Sequence, residues 1–308
     1  MAELEPLLTG PYTSAHVVRW CAAQQNWDKI HYDVDYARDV AGLPERVING
    51  AFKQHLLARF LGQAFDVPVR LVRLNYRFMG PDFIGESLEA RGTVTACEPI
   101  AGATAAHVSL ALWNPQQEKI TTQGSATVML DAAPYGDIDW QALPHHWRLD
   151  ETVEAEDAAV PAEIRALLGQ DDEHVTSSCP VDLSRLRLFA DAVGGLPAWH
   201  HDPRAAADAG LPGVLAAPLF PIHALEPAVG SLPLSTDGAA LGREAVNEVG
   251  RNFARRFGFP ASGLANAGNE CELHSLLAVG ETATGTSRLL SARVKPRGRG
   301  GDMLFTTA

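Results

Sequence analysis

The chain has few cysteines, and they are scattered along the sequence. Its 308 residues hold four of them, with no Cys-x-x-Cys pair, at Cys21, Cys97, Cys179 and Cys271. That spacing is unlike a zinc site and unlike the dense disulfide framework of a small secreted domain. We therefore expect a reduced protein in which cysteine holds neither a metal ion nor the fold.

Long apolar runs are absent as well. No stretch reaches the about 18–20 consecutive apolar residues that a membrane-spanning helix needs. The first five residues, 1–5, also lack the basic flank and apolar core of a secretion signal. From these two absences we expect a cytoplasmic protein without a membrane partner.

Basic residues are outnumbered. The sequence has 25 Lys and Arg against 37 Asp and Glu, a formal net charge of −12. A nucleic-acid-binding protein needs clustered Lys and Arg to neutralise phosphates, so nucleic acid is not an expected partner.

What is present is an ordinary globular composition. With 46% hydrophobic and 20% charged residues the chain can bury a sizeable core. Its length predicts two domains or one large one, at roughly 100–200 residues per domain.

An internal repeat favours two domains. Residues 41–44, Ala-Gly-Leu-Pro, recur at 209–212, an offset of 168. Four further matches keep the same order, pairing residues 18–22 with 187–190, 31–33 with 200–202, 49–52 with 217–220, and 84–87 with 279–282. The last offset is 195, so the second copy has about 27 extra residues before Gly280. We interpret this pattern as a duplicated unit.

Each copy predicts helices followed by strands. Val17, Val18, Cys21 and Ala22 are spaced as one face of a helix capped by Thr13 or Ser14, and the stripe from Phe52 to Leu61 predicts a stronger second helix. Period-two alternation then predicts half-buried antiparallel strands at residues 72–78, 88–94, 108–112 and 126–130. The pattern is that of an α+β fold, with a long helix packed on a curved antiparallel sheet.

The segment from Asn26 to Asp33, with Asn49-Gly50 after it, carries a family resemblance. It resembles the active-site stretch of the MaoC-like (R)-specific enoyl-CoA hydratases and 3-hydroxyacyl-thioester dehydratases, where Asp-x-Asn-Pro-x-His is usual. His31 matches that pattern, whereas Asn26 and Asp28 take its first and third positions. One branch of the family does carry Asn at the first position and continues Ile-His-Tyr-Asp, as this chain does.

The resemblance implies a double hot dog in one chain. We expect a hydratase-like hot-dog domain over residues 1–135, an acidic connector over 136–178 with a helical piece near 162–168, and a degenerate hot-dog domain over 179–308. The second domain is expected to be incomplete at its C-terminus, because its strand pattern stops in what looks like the third strand. An open sheet edge there predicts a homo-oligomer or a protein partner that covers the edge.

His31 is the main candidate for proton transfer, since an imidazole works as acid or base near neutrality. The alternative is a hydrogen-bonded structural histidine. Asn26 can orient a water molecule but cannot take a proton, so His31 would act alone or with a carboxylate. Asp28 is the nearest candidate, and Asp33 is a candidate helix cap.

Asn49-Gly50 stands where the family commonly shows His-Gly, at the start of the long helix. Free N–H groups there can stabilise the oxygen of a polarised thioester, and the glycine can also serve the turn. In the second copy Pro218 replaces the glycine, and His200 and His201 are expected to be structural.

One basic cluster remains, formed by Arg293, Lys295, Arg297 and Arg299. We predict a hairpin loop between strands, which is either solvated or binds the phosphates of CoA.

The resemblance implies reversible addition of water to a 2-enoyl thioester on CoA or acyl-carrier protein, without cofactor or metal. The second copy and its insertion would shape the pocket for a bulky acyl group. Two other hypotheses stay open, a non-catalytic acyl-thioester-binding subunit and a hot-dog thioesterase.

Overall fold

A seven-stranded antiparallel sheet is the largest element of the fold. The computed structural model describes residues 1–26, 28–100, 103–133, 139, 141, 143–154, 157–172, 174–225, 266–297 and 301–307. The strands of this part of the chain are β1 (Ala2–Glu3), β2 (Leu7–Thr9), β3 (Val69–Phe78), β4 (Leu88–Ile100), β5 (Ala103–Asn114), β6 (Lys119–Leu130), β7 (Val175–Thr176), β8 (Gly268–Glu272), β9 (Thr284–Gly285), β10 (Ser291–Arg297) and β11 (Gly301–Thr307).

The strand order of the large sheet is β1-β4-β5-β6-β3-β8, with β2 also paired to β4. The four strands predicted in the first copy are confirmed as β3 to β6. Strand β8 comes from the second half of the chain, and its residue Cys271 pairs with Leu74 of β3. The sheet of the first half is therefore extended by the second half.

One expectation about β3 is wrong. Simple alternation places Val72 on the same face as Leu74 and Tyr76. The pairing of β3 with β6 is irregular between Leu71 and Arg73, and such a bulge reverses the side-chain alternation. Leu71 therefore joins Leu74 in the main core, while Val72 packs on the other face with Trp147.

The helices of the described residues are α1 (Ser14–Gln24), α2 (Gly50–Gln63), α3 (Ala162–Arg165), α4 (Leu183–Val193), α5 (Pro203–Asp208) and α6 (Pro221–Ala224). None of them is long and apolar enough to cross a membrane. The predicted stripe of α2 is confirmed, because Phe52, Leu56, Leu57, Phe60 and Leu61 are all buried.

Helix α1 begins where the sequence predicts, with Thr13 as its N-cap and the Thr13 N–H donating to Nδ1 of His16 at 3.1 Å. Its buried face is only partly the predicted one. Val17 is buried as expected, but Val18 is 48% exposed, and Trp20 points into the core instead.

The repeat is visible in the backbone. Helix α4 stands in the second half where α1 stands in the first, and the isolated bridge between Leu215 and Ala278 repeats that between Val47 and Phe83. Two backbone hydrogen bonds repeat as well. The N–H of Ile48 donates to the Asp82 carbonyl (2.7 Å), and in the second half the N–H of Ala216 donates to the Leu277 carbonyl (2.8 Å). The N–H of Gly85 donates to the Tyr12 carbonyl (2.7 Å), and the N–H of Gly280 donates to the Val181 carbonyl (2.8 Å). These residues are paired by the same offsets, 168, 169 and 195, as the sequence matches.

The two halves meet along their helices. Trp20 of α1 packs against Phe189 of α4, with ring centroids 5.4 Å apart. Nε2 of His55 on α2 lies 2.9 Å from Nε2 of His223 on α6, and both imidazoles are buried. Both pairs join residues that correspond in the repeat.

The segment predicted as a connector takes part in packing. Trp147 is buried against the large sheet with Val72, Ala105 and Leu143. Helix α3, predicted at 162–168, packs through Ile164 on Leu289 and Ala292, beside the β10–β11 hairpin. Helix α6 stands in the second half where the first turns of α2 stand in the first, while most of the insertion lies outside the described residues.

Candidate active site

A short turn positions His31. The N–H of Asp28 donates to Oδ1 of Asn26 at 3.0 Å, and the N–H of Ile30 donates to Oδ1 of Asp28 at 3.2 Å. Asp28 thereby caps a single 3₁₀ turn, Lys29–His31, directly after α1. Asn and Asp favour such turns because their short side chains reach the backbone two residues on.

The His31 imidazole is held at both nitrogens. Its Nδ1 lies 2.8 Å from the Val47 carbonyl, and its Nε2 lies 3.1 Å from Nδ2 of Asn49. A carbonyl oxygen only accepts hydrogen bonds, so Nδ1 carries the ring proton and donates a hydrogen bond to the Val47 carbonyl. The lone pair of the ring is therefore on Nε2. Burial lowers the pKa of His31, so the ring is neutral in the resting protein.

Asn49 caps the central helix beside His31. Its Oδ1 accepts the N–H of Ala51 at 2.8 Å, as an N-cap residue does, and its side chain is buried. Among the described residues, none accepts a hydrogen bond from the N–H of Gly50, the first residue of α2. The start of α2 therefore presents a free donor at the positive end of the helix dipole.

The glycine at position 50 is explained by a close approach. A Cβ added there would lie 2.9 Å from Cε2 of Phe78, closer than real side chains pack. The Phe78 ring thus closes one side of the helix start. This is a packing constraint, since no unusual backbone angle requires glycine at this position.

Two nearby carboxylates differ in what they do. Asp28 lies in a buried setting that raises its pKa, and it acts electrostatically on His31. Asp33 accepts the N–H of Tyr36 at 3.0 Å, at the start of the helical turn Tyr36–Val40, as the helix cap predicted from the sequence would.

The second copy keeps the hydrogen-bonded histidine but not the residues that stand beside it in the first copy. Nδ1 of His200 lies 2.8 Å from the Leu215 carbonyl, which repeats the contact between His31 and Val47. Burial lowers the pKa of His200 to about 4. Ala217 stands where the first half has Asn49, and Pro218 stands in place of Gly50. The anchored imidazole is therefore common to both halves, whereas the Nε2 partner and the free N–H belong to the first.

A buried ion pair near Gly50 was not predicted. Nζ of Lys53 lies 2.8 Å from Oδ2 of Asp82, with both side chains almost fully buried. Asn114 donates from Nδ2 to Oδ1 of Asp82 at 2.7 Å and to Oε2 of Glu86 at 2.9 Å. This network fixes the loop after β3, and with it Phe78 at the end of that strand, against the start of α2.

Among the described residues, no contact joins the basic cluster to His31. Arg293 and Lys295 lie in strand β10, where a loop was predicted. Arg293 pairs with Glu154 at 2.6 Å, and Nζ of Lys295 lies 4.5 Å from the centroid of the Phe305 ring. Arg297 ends β10, and Arg299 lies outside the described residues. Phosphate binding by this cluster stays a prediction.

Comparison with known proteins gives two family models. One, described as hydroxyacyl-thioester dehydratase type 2, matches residues 7–84, and the other, described as a FAS1-like dehydratase domain region, matches residues 167–308. No curated protein matches the chain.

Two solved structures share the fold. A MaoC-like dehydratase is 14% identical, with a TM-score of 0.58, and the match covers 98% of this chain and 95% of that one. A protein named as a MaoC domain dehydratase from Chloroflexus aurantiacus is 12% identical, with a TM-score of 0.62, and the match covers 99% of this chain and 87% of that one.

Both family models describe proteins of the dehydratase class. Both halves of the chain are matched by models of that class, and the whole chain shares the fold of the two solved proteins. The two family-model matches support membership of the MaoC-like hydratase/dehydratase family.

Proposed function

We propose that this protein reversibly adds water to a 2-enoyl thioester, held on CoA or on acyl-carrier protein. The observation that carries the proposal is the neutral imidazole of His31, whose Nε2 lone pair lies beside the N-terminus of α2. The two family-model matches support the same reaction.

The chemistry of hydration follows from these groups. Nε2 of His31 takes a proton from water as the water oxygen bonds to the β-carbon. The electrons of the double bond move toward the thioester oxygen, where the N–H of Gly50 stabilises the negative charge. The imidazolium then returns its proton to the α-carbon, so that water is added and His31 is neutral again. Asp28 stabilises the imidazolium while it exists. Dehydration is the reverse sequence.

We also propose the finer architecture behind this site. The repeated contacts and the fold of the two solved structures support two hot-dog units in one chain, over residues 1–135 and 179–308, joined by residues 136–178. The second unit keeps the histidine anchor without the chemistry, which supports a role in shaping the acyl pocket. Homo-oligomer formation stays a prediction that light scattering at low micromolar concentration checks.

A non-catalytic acyl-thioester-binding subunit is the second candidate. It is favoured by Asn26, whose Oδ1 accepts the N–H of Asp28 within the turn. It is also favoured by the absence of an Asp at position 26, where the family usually has one.

The experiment is an assay of purified protein on 2-enoyl-CoA substrates of graded acyl length, followed by loss of the enoyl absorbance. His31→Ala is expected to lower turnover at least ~100-fold, the lower range for a general acid–base residue. His200→Ala is the matched control, because it removes the same imidazole-to-carbonyl hydrogen bond from the other half. Binding of the substrate with no turnover in the wild type favours the subunit, and equal loss in both variants excludes His31 as the base.

A further inference from the structure

The side chain that contacts the reactive nitrogen of His31 is Asn49. Its amide is oriented by the helix, since Oδ1 accepts the Ala51 N–H at 2.8 Å and Nδ2 is left to face the imidazole. Nδ2 lies 3.1 Å from Nε2 of His31 and donates to its lone pair. Asn49 is 3% exposed, so water competes little for either hydrogen bond.

We propose that Asn49 is a positioning residue that keeps His31 neutral, with the lone pair on Nε2, and that it rather than Asn26 is the carboxamide paired with the base. The consequence for catalysis rests on the proposed hydration reaction, whereas the effect on the proton of His31 does not.

The physical reason is a conflict between donors. If Nε2 of His31 took a proton in the resting protein, its N–H would face the N–H of Asn49, and one hydrogen bond would be lost in a buried site. Asn49 therefore opposes protonation of the imidazole, in the same direction as burial does. In the reaction, the water molecule that gives its proton to Nε2 must first displace the amide from the lone pair, and the displaced Nδ2–H can then donate to the oxygen of that water.

Asn26 lies in a different hydrogen-bond pattern. Its Oδ1 accepts the N–H of Asp28 at 3.0 Å, so the motif position serves the turn that carries His31. The second half of the chain supports this division of roles. There Ala217 replaces Asn49, while the imidazole anchor of His200 is kept.

Other groups that act on His31 are few. Among the described residues, Asp28 of the same turn is the charged group that raises its pKa, against the larger effect of burial. Cys21 of α1 in turn interacts with Asp28, and burial raises the pKa of that thiol to about 12. Among the described residues, the side chain that is hydrogen-bonded to His31 from the start of α2 is that of the N-cap residue Asn49.

Two substitutions separate the amide from the helix cap. Asn49→Asp and Asn49→Ser both keep a good N-cap for α2. The Asp variant places a carboxylate oxygen on Nε2 and should raise the pKa of His31 by about 1–3 units, the usual effect of an adjacent opposite charge. The Ser variant removes the amide donor, so the pKa should rise by less.

The measurement is an NMR titration of the His31 ring proton, assigned by its loss in His31→Ala, together with the pH profile of kcat/KM. Asn26→Asp is the matched control, since it makes the same change of charge at the motif position. We expect the midpoint to rise more in Asn49→Asp than in Asn26→Asp, and the acidic limb of kcat/KM to move with it.

The inference fails if Asn49→Asp and Asn49→Ser titrate as the wild type does, or if Asn26→Asp moves the midpoint more. A wild type that titrates as expected but turns over no enoyl thioester contradicts the proposed function and leaves the role of Asn49 standing.

Discussion

At the residue scale, Gly50 is constrained by the space beside it. Alanine at this position must push the Phe78 ring away, because its Cβ would lie 2.9 Å from Cε2. We expect Gly50→Ala to destabilise the protein by about 1–3 kcal/mol, as overpacking does. Turnover should fall as well, since the N–H that we propose stabilises the thioester oxygen is displaced. Urea denaturation and the hydration assay measure the two effects.

Gly62 of the same helix is the control for that substitution. A Cβ at Gly62 meets nothing within 4 Å. Alanine is the better helix former, so Gly62→Ala should stabilise the protein by roughly 0.5–1 kcal/mol and leave turnover unchanged. Similar behaviour of the two variants contradicts a special environment at Gly50.

The pH profile of the wild type also belongs to a single residue. The proposed hydration reaction uses neutral His31 as the base, and burial lowers the pKa of this ring below its ordinary value near 6.5. Activity should therefore persist as the pH falls through about 6.5 and decline only at more acidic values. A profile of kcat/KM against pH checks this, and an acidic limb above 6.5 would show that His31 is protonated more easily than its burial implies.

At the element scale, α2 has more buried faces than its sequence predicts. The apolar stripe from Phe52 to Leu61 predicts a helix with one buried face, and Lys53, Gln54 and His55 would then lie in water. All three are buried, because the sheet covers one side of α2 while α1, α4 and α6 surround the others. The spacing of apolar residues predicts the helix. It does not predict the burial of Lys53, Gln54 and His55, because these residues are polar and do not add to the apolar pattern.

Breaking the buried ion pair of α2 should be costly. Lys53→Met leaves the Asp82 carboxylate uncompensated in the core, and we expect a loss of about 3–5 kcal/mol in the free energy of unfolding. The control is Arg38→Ala, which removes a largely exposed pair with Glu45 at 2.7 Å and should cost at most about 1 kcal/mol. Urea denaturation of both variants at one pH gives the comparison, and equal losses contradict the account.

The strands were predictable and their register was not. Alternating residues give β3 to β6 because antiparallel strands expose one face and bury the other. A bulge such as that between Leu71 and Arg73 reverses the alternation without leaving a mark in composition. Strand β8 depends on pairing with β3, nearly two hundred residues away in sequence, and a local pattern cannot show such a partner.

At the scale of the whole molecule, buried histidines make stability depend on pH. Burial lowers the pKa of His31 and of His55, and it lowers those of His200 and His223 to about 4 and about 3. Below pH 6.5 the unfolded chain therefore binds more protons than the folded one. The stability contributed by these neutral rings is complete above 6.5 and is lost as the pH falls toward the folded pKa values.

We accordingly expect the free energy of unfolding to decrease on acidification below 6.5, by about 1.4 kcal/mol per pH unit for each fully titrating histidine. Urea denaturation from pH 7 to 5 measures the slope. A double variant, His55→Gln with His223→Gln, should make the slope shallower. An unchanged slope would mean that these two rings do not contribute.

The duplication was predictable and the site only partly so. Short matches in one order give the offsets 168, 169 and 195 that the repeated backbone hydrogen bonds later follow. The motif predicts His31 as a site residue, and the start of the long helix predicts Asn49 and Gly50. The hydrogen-bond partner of the imidazole is set by the approach of α2 to the turn, whereas the sequence motif favours Asn26 because it stands at the first position of the family pattern.

The contact between His55 and His223 resembles a contact on the symmetry axis of a dimer. In a dimer with two-fold symmetry, a residue on the axis meets its own copy. His55 and His223 are separated by 168 residues, the offset of the repeat around them, and their Nε2 atoms meet at 2.9 Å. The geometry is that of a self-complementary contact between two subunits. Once such subunits are fused, each half can mutate separately, so one can keep the reactive groups while the other loses them.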